Sequence, residues 1–330
     1  MPLRRKEPRG LSRRWNRVIH RRTDPVPPSK ICVILNEKSG AHADGDQRRA
    51  RLEQLLEEAG LDAQIHCLTP ELSILDSARK AARDSGCAML VAAGGDGTIG
   101  AVASVCHEVG LPMGVIPQGT FNYFARGLDI PEDMEGAVQV LAKGVLRDLP
   151  LGEVNGKIFL NNASLGIYPM ILRTREGVYQ RWGRSRVAAY WSVILALAGY
   201  RRPLMMRARI DGQEQLLRTP LAFVANSAYQ LDQFNLDGAE EIRKGRFVLL
   251  TSKGARRGDL VRAAARLATG TAQRGEDFNI VAAQEIVLET RRRRVLVARD
   301  GEKEVMSSPI TFRLRDTPLR VAVPAGDTAA

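Results

Sequence analysis

In the first half of the chain, apolar residues fall into short unbroken runs separated by stretches where they recur at helical spacing. The runs at 31–35, 63–68, 88–93 and 113–116 read as buried strands. Between them, Leu52, Leu55 and Leu56 mark one face of a helix from about 46 to 59, and Thr69 can cap a helix that starts at Pro70. A further helical pattern covers 99–109. Strands alternating with helices predict an α/β domain whose parallel sheet carries helices on both faces.

After Asp148 the pattern changes. Asn155-Gly156 between short apolar runs is a two-residue hairpin turn. Stretches at 204–210, 221–225, 247–251, 285–289, 294–298, 310–313 and 319–323 alternate or run as short strands, with helical patterns near 184–200 and 257–269. The second half therefore predicts a β-rich domain of antiparallel strands. No internal repeat is present.

Composition narrows the chemistry. At 330 residues there is room for two domains, each with its own core. Cys32, Cys67, Cys87 and Cys106 lie in apolar surroundings without a C-x-x-C pair, and His20, His42, His66 and His107 have no ligand spacing. They read as reduced thiols of a cytoplasmic protein, which excludes a disulfide framework and a His/Cys metal centre. A net charge of +12 calls for a polyanionic partner. Much of that charge lies in residues 1–29, where Leu11, Trp15, Val18 and Ile19 share one face of a potential helix among nine arginines and lysines. This arm reads either as a solvated disordered segment or as an amphipathic helix (residues 1–24) on an anionic membrane surface. It lacks the apolar core of a secretory signal. The apolar run at 187–199 is too short to span a bilayer and reads as a core helix. Nothing interleaves aromatics with a basic surface, so no nucleic-acid partner is expected.

Gly94-Gly95-Asp96-Gly97-Thr98 follows the third strand and opens a helix. Such glycines let the backbone turn tightly and bring its N–H groups near a phosphate, and the helix N-terminus adds partial positive charge. Asp96 is the odd member, because a carboxylate repels phosphate unless a cation or a transferable proton stands between them. Phosphoryl transfer accounts for that pairing better than passive dinucleotide binding does, although the five residues alone read equally well as a turn. The loops at 36–40, 94–98 and 117–122 all lie at carboxyl ends of predicted strands, where ligands bind in such sheets. In the last of them Gly119 frees the backbone, Thr120 offers a hydroxyl, and Asn122 can hold the bend.

In order along the chain come Asn36, Ser39 and Gly40 after the first strand, Gly-Gly-Asp-Gly-Thr at 94–98, and Pro-x-Gly-Thr-x-Asn-x-x-Ala-Arg at 117–126. Asp148, Asn162 with Gly166, and Asp300-Gly301-Glu302 follow. This set resembles the diacylglycerol kinase catalytic-domain family, which includes diacylglycerol, sphingosine and ceramide kinases and bacterial relatives. The resemblance covers roughly 30–325. It implies an ATP-binding α/β domain at 30–147, related to that of NAD kinases, and a lipid-substrate domain at 148–307, with the last strands (about 308–325) returning to the first. It implies ATP and Mg²⁺, a lipid substrate, and a cytoplasmic, peripherally membrane-associated enzyme; a homodimer is compatible with it.

The resemblance places the general base on Glu302 and adds Asp96 and Asp300 to the catalytic set. ATP falls to Asn36, Ser39, Gly40, Gly94, Gly95, Asp96, Gly97, Thr98, Gly119, Thr120 and Asn122. Asp96 and Asp148 would order Mg²⁺. A positioned carboxylate suits a hydroxyl that must lose its proton as it attacks. Two positions depart from the family pattern. Tyr123 stands where an acid is common, and Lys244-Gly245 stands where bacterial relatives often hold a structural ion through Asp-Gly. A kinase of a soluble metabolite, NAD kinase-like, and a catalytically weak lipid- or nucleotide-binding protein are the competing readings.

Overall fold

The computed structural model describes residues 24–26, 30–37, 45–68, 72–83, 86–172, 202–254, 256–268 and 277–325. The basic arm apart from residues 24–26, the apolar run at 187–199, the Thr69 cap, and Ser39 and Gly40 lie outside them.

The first domain contains strands β1 (Asp24–Pro25), β2 (Ile31–Leu35), β3 (Ala63–Cys67), β4 (Met89–Gly94), β5 (Met113–Pro117) and β6 (Val145–Leu149). Its helices are α1 (Gly45–Glu58), α2 (Ile74–Arg83), α3 (Asp96–Val109), α4 (Tyr123–Arg126) and α5 (Met134–Lys143). β2, β4 and β5 are buried along their whole length, as the unbroken apolar runs require in a sheet covered on both faces. α3 buries Ile99, Val102, Ala103, Val105 and Cys106 against this sheet and ends at Gly110, whose left-handed backbone returns its N–H to Cys106.

The second unit is a sandwich. β7 (Gly152–Val154), β8 (Lys157–Phe159), β9 (Asn162–Gly166), β10 (Leu204–Ile210), β11 (Gln213–Thr219) and β12 (Leu221–Ala225) are followed by α6 (Ala228–Gln233) and α7 (Ala239–Arg243). Then come β13 (Phe247–Ser252), α8 (Arg257–Ala268), β14 (Phe278–Ala283), β15 (Glu285–Thr290), β16 (Arg294–Arg299), β17 (Glu302–Ser307) and β18 (Ile310–Leu314). Two six-stranded antiparallel sheets, ordered β11-β10-β15-β18-β7-β8 and β14-β13-β12-β9-β16-β17, enclose a common core. At its centre Phe159 lies 5.7 Å from the ring of Phe247 and meets Phe312 edge-on at 6.3 Å.

Three hairpins close on two-residue turns with the same positive-φ signature: Asn155-Gly156 (46°, 85°), Asp211-Gly212 (46°, 83°) and Asp300-Gly301 (46°, 86°). Asx-Gly pairs tolerate these angles, and they match the twist of the flanking strands.

β19 (Leu319–Val323) returns to the first sheet, lying between β5, to which it is parallel, and β6, to which it is antiparallel. β18 stays in the sandwich. The chain thus crosses between the units twice, after β6 and before β19. Buried Glu153 pins both crossings through ion pairs with Arg313 (2.8 Å) and Arg315 (2.6 Å). At the far corner of the sandwich, where the sequence drew attention to Lys244, that exposed side chain pairs with partly buried Glu241 at 3.0 Å. Arg246 carries the larger role, bonding Glu241 (3.1 Å), Asp211 (3.3 Å) and the carbonyl of Ala282 (2.9 Å). No helix among the described residues is long and apolar enough to cross a membrane.

Candidate active site

β4 runs directly into the phosphate-loop candidate. Gly95 is the N-cap of α3, and Asp96 is its first residue. The close packing here requires glycine. A Cβ on Gly94 would lie 2.6 Å from Thr98 Oγ1, and one on Gly119 would lie 2.8 Å from the Cα of Gly95. Two loops from neighbouring strands therefore touch backbone to backbone. The Asn36 amide, at the end of β2, donates to Thr98 Oγ1 at 3.0 Å and adds the third loop.

Asn122 shapes the second loop. Its left-handed backbone (φ 49°) reverses the chain, and its Oδ1 accepts from the N–H of Gly119 at 2.9 Å. Its amide nitrogen donates to Glu132 at 2.9 Å, and Glu132 also pairs with Arg126 at 2.7 Å. Glu132 has no signal in the sequence, because its contacts lie across a loop. Thr120 sits at the exposed tip.

Across from these loops stands the β16–β17 turn of the sandwich. That turn, Asn36 and the 94–98 loop border an open cleft of about 540 Å³, whereas Gly119, Thr120 and Asn122 are not among its lining residues. Asn36, Gly95, Asp96, Gly97 and Thr98 line one wall, and Arg299, Asp300 and Glu302 line the other. The helix α3 supplies Gly100, Ala101 and Ser104. Glu302 Oε1 comes within 3.6 Å of where a Cβ on Gly97 would be. Residues about two hundred positions apart thus share one site. Arg299 is a cation that the sequence reading missed; it lies opposite Glu302 in the β16–β17 ladder and donates to the carbonyl of Ile158 at 2.6 Å.

The three acids of this region have different surroundings. Asp96 is largely buried, which raises its pKa, while the amides of residues 122–124 and its own draw it down. Its Oδ1 is buried without a hydrogen-bond partner. Asp300 is also raised by burial, but its oxygens accept from the N–H groups of Leu160 (2.7 Å), Asn161 (2.8 Å) and Asn162 (3.1 Å). Those bonds fasten the turn that carries Glu302 to the strand entry at 160–162. Asp148 is not brought to the cleft. β6 is antiparallel to β19, which puts Asp148 opposite Arg320, and Arg320 reaches the carbonyl of Gly110 at the C-terminal end of α3. A helix of that length separates it from Asp96, about 20 Å, so its expected share in a metal site with Asp96 does not hold.

Tyr123 opens α4 beneath the loop. Its ring stacks on Phe121 at 5.6 Å, and its hydroxyl is pushed up to about 12, first by burial and then by the nearby Tyr168, Asp96 and Tyr229.

Residues 30–154 match the family model of the diacylglycerol kinase catalytic domain, and residues 173–323 match that of the YegS C-terminal NAD kinase beta sandwich-like domain. The chain is 30% identical over 257 residues to a diacylglycerol kinase of Bacillus subtilis (strain 168), covering 75% of this chain and 80% of that protein. A diacylglycerol kinase of Staphylococcus epidermidis is 34% identical over 113 residues, 34% of this chain and 35% of the relative. Among solved structures, a Bacillus anthracis str. Sterne protein described as a diacylglycerol kinase superimposes with a TM-score of 0.69 at 18% identity, over 92% of this chain and 98% of that one. At that identity the likeness establishes the fold, an α/β domain joined to antiparallel sheets.

Proposed function

The chain belongs to the diacylglycerol kinase catalytic-domain family, and from that membership we propose that it transfers the γ-phosphoryl group of ATP to a hydroxyl of a membrane lipid, diacylglycerol or sphingoid-like. The observation that carries this reading is the approach of Glu302 to Gly97, which sets a carboxylate from the sandwich against a loop built for phosphate.

In this reading the amides of Gly95, Gly97 and Thr98 receive phosphate oxygens at the start of α3. Mg²⁺ fits the donor set: among the described residues the buried Asp96 Oδ1 has no hydrogen-bond partner, and this ion is commonly held by one or two carboxylates plus substrate phosphates. Asp96 would hold it, and the ion would spread the charge of the phosphates. Glu302 accepts the proton of the lipid hydroxyl as the new oxygen–phosphorus bond forms and the bond to the ADP oxygen breaks. Arg299 offers positive charge on the sandwich side, and Asp300 holds the turn. Peripheral attachment through the arm at 1–24 belongs to the same reading.

Purified protein with Mg-ATP and mixed lipid micelles tests it. Phosphate appearing on a lipid hydroxyl is the expected result. Transfer to NAD or a sugar phosphate with none to lipid overturns it in favour of a soluble-metabolite kinase.

A further inference from the structure

β15 is joined to β16 by Arg291-Arg292-Arg293, and Arg294 opens β16. All four residues are exposed, and among the described residues none of them is ion-paired. The connection is nevertheless well held. The hydroxyl of Thr290 donates to the carbonyl of Arg292 at 2.7 Å, the N–H of Ser308 donates to that of Arg293 at 2.8 Å, and the N–H of Thr290 donates to Ser308 Oγ at 2.9 Å. Four cations are thus displayed on a fixed loop, against the mutual repulsion that consecutive arginines suffer.

The neighbouring sheet face extends this display. Met206 lies opposite Thr290 on one side and Leu217 on the other, so the next ladder position sets Met205 and Arg218 beside Arg291. Met206 points into the core, while Met205 is 54% exposed; Leu216, on the same outer face, is 80% exposed. Arg207 stands between Leu216 and Glu289, and its pairing with that acid at 3.8 Å is loose. Apolar side chains with surplus positive charge around them suit a surface that is anionic at its boundary and apolar beneath.

We propose that the Arg291–Arg294 connection, together with Met205 and Leu216, docks the sandwich on an anionic bilayer. The proposal rests on the lipid-kinase reading for a bilayer being the natural partner. β16 runs from Arg294 to Arg299, so roughly 17 Å of strand separates the docked end from the Asp300–Glu302 turn, a distance the lipid covers by rising partly out of the bilayer to bring its hydroxyl to Glu302. The nucleotide cleft then stays on the aqueous side.

The test is sedimentation of the full chain with vesicles of phosphatidylglycerol and phosphatidylcholine, without ATP, comparing R291S/R292S/R293S with a control, R51S/K80S/R83S, that removes the same charge from the first domain. Each arginine near such a surface is worth about fivefold in partitioning, so the triple variant should bind on the order of 100-fold more weakly at low salt. The control should bind like the parent. Leu216→Ser should weaken vesicle binding while leaving binding to a single-stranded oligonucleotide unchanged. Equal losses in both triple variants overturn the proposal, as does parent-like binding by the arginine variant. Tighter binding to the oligonucleotide through the same arginines also overturns it and makes the surface a nucleic-acid site. Turnover of a soluble short-chain diacylglycerol without vesicles is measured separately. Its absence in the parent chain, together with absent turnover of a short-chain sphingosine analogue, rejects the lipid-kinase reading, and persistence of turnover in the arginine variant confines the defect to docking.

Discussion

Glu302 Oε1 lies 3.6 Å from the position of a Cβ on Gly97, so the carboxylate and the first turn of α3 are in contact range across the cleft. A methyl at 97 would sit in ordinary contact with the proposed base, and a longer side chain would displace it. Glu302→Gln keeps the size and removes the ability to accept a proton. Its kcat should fall by about 100-fold or more, while nucleotide affinity measured by calorimetry stays within a fewfold of the parent. Near-normal turnover would move the proton acceptor to Asp96.

The glycine contact between the loops makes a separate claim. A Cβ at Gly119 meets the Cα of Gly95 and Asn122 Oδ1, both at 2.8 Å. Backbone cannot yield as a flexible side-chain tip does, so Gly119→Ala should spread the two loops. Nucleotide affinity is expected to drop by about tenfold or more, with the melting temperature also lowered. Gly258→Ala in α8, away from the cleft and meeting nothing within 4 Å, is the matched control and should retain affinity.

How legible these features were depends on the range of the physics behind them. The loops at 94–98 and 117–122 were readable because tight turns and close backbone approach restrict the residue type locally. Asp300-Gly301 was readable both as a hairpin turn and as part of the site, and it is both: the turn angles belong to the pair, while the Asp300 carboxylate fastens the strand entry at 160–162. Asp148 misled because a residue's end of the sheet depends on strand direction, and β6 reverses through its pairing with β19, about 170 residues later. Arg299 and Glu132 were missed for the same reason, since their partners are set by tertiary packing. β11 was missed because five of its seven residues are exposed, leaving only Leu217 and Thr219 to mark a buried face, although Asp211-Gly212 marked its start.

At the sandwich corner, the Arg246 guanidinium joins α7, the β10–β11 turn and the end of β14. Arg246→Ala leaves Glu241 and Asp211 without this shared cation and should lower stability by about 1–3 kcal/mol, read by denaturant unfolding. Because a side chain already supplies positive charge there, a chelator should leave the melting temperature of the nucleotide-free protein unchanged. A fall with chelator that Mg²⁺ reverses would show an ion at this corner.

Asp96 trades stability for function. Its pKa is raised in the folded protein, chiefly by burial. A carboxylate so raised favours the folded state most below its unfolded value of about 4, and that contribution is lost as pH rises through the folded pKa. From about pH 4 upward the group therefore works increasingly against folding, until the raised pKa is passed. Asp96→Asn should raise the melting temperature at pH 7 while reducing turnover by about 100-fold or more. The thermal gain should shrink as the pH is lowered through the raised pKa toward 4. A gain that does not change with pH would mean that burial of charge is not its source.

Tyr123 occupies the position where the family pattern commonly has an acid, and its surroundings explain what an aromatic ring does there. It stacks on half-exposed Phe121, and its neighbours are Tyr168, Tyr229 and Asp96. With its hydroxyl pushed up to about 12, the phenol stays protonated at neutral pH and cannot act as a base. Tyr123→Phe keeps the stacked ring and should keep kcat within about threefold and shift no limb of the pH–rate profile. Tyr123→Asp does the opposite on both counts. It removes the stacking partner of Phe121 and buries a second carboxylate near Asp96, and two like charges at close range raise each other's pKa. That variant should unfold at lower temperature at pH 7, with the deficit narrowing as the pH falls and the pair takes up a proton. A Tyr123→Phe enzyme that loses most of its turnover would assign the work to the hydroxyl instead of the ring.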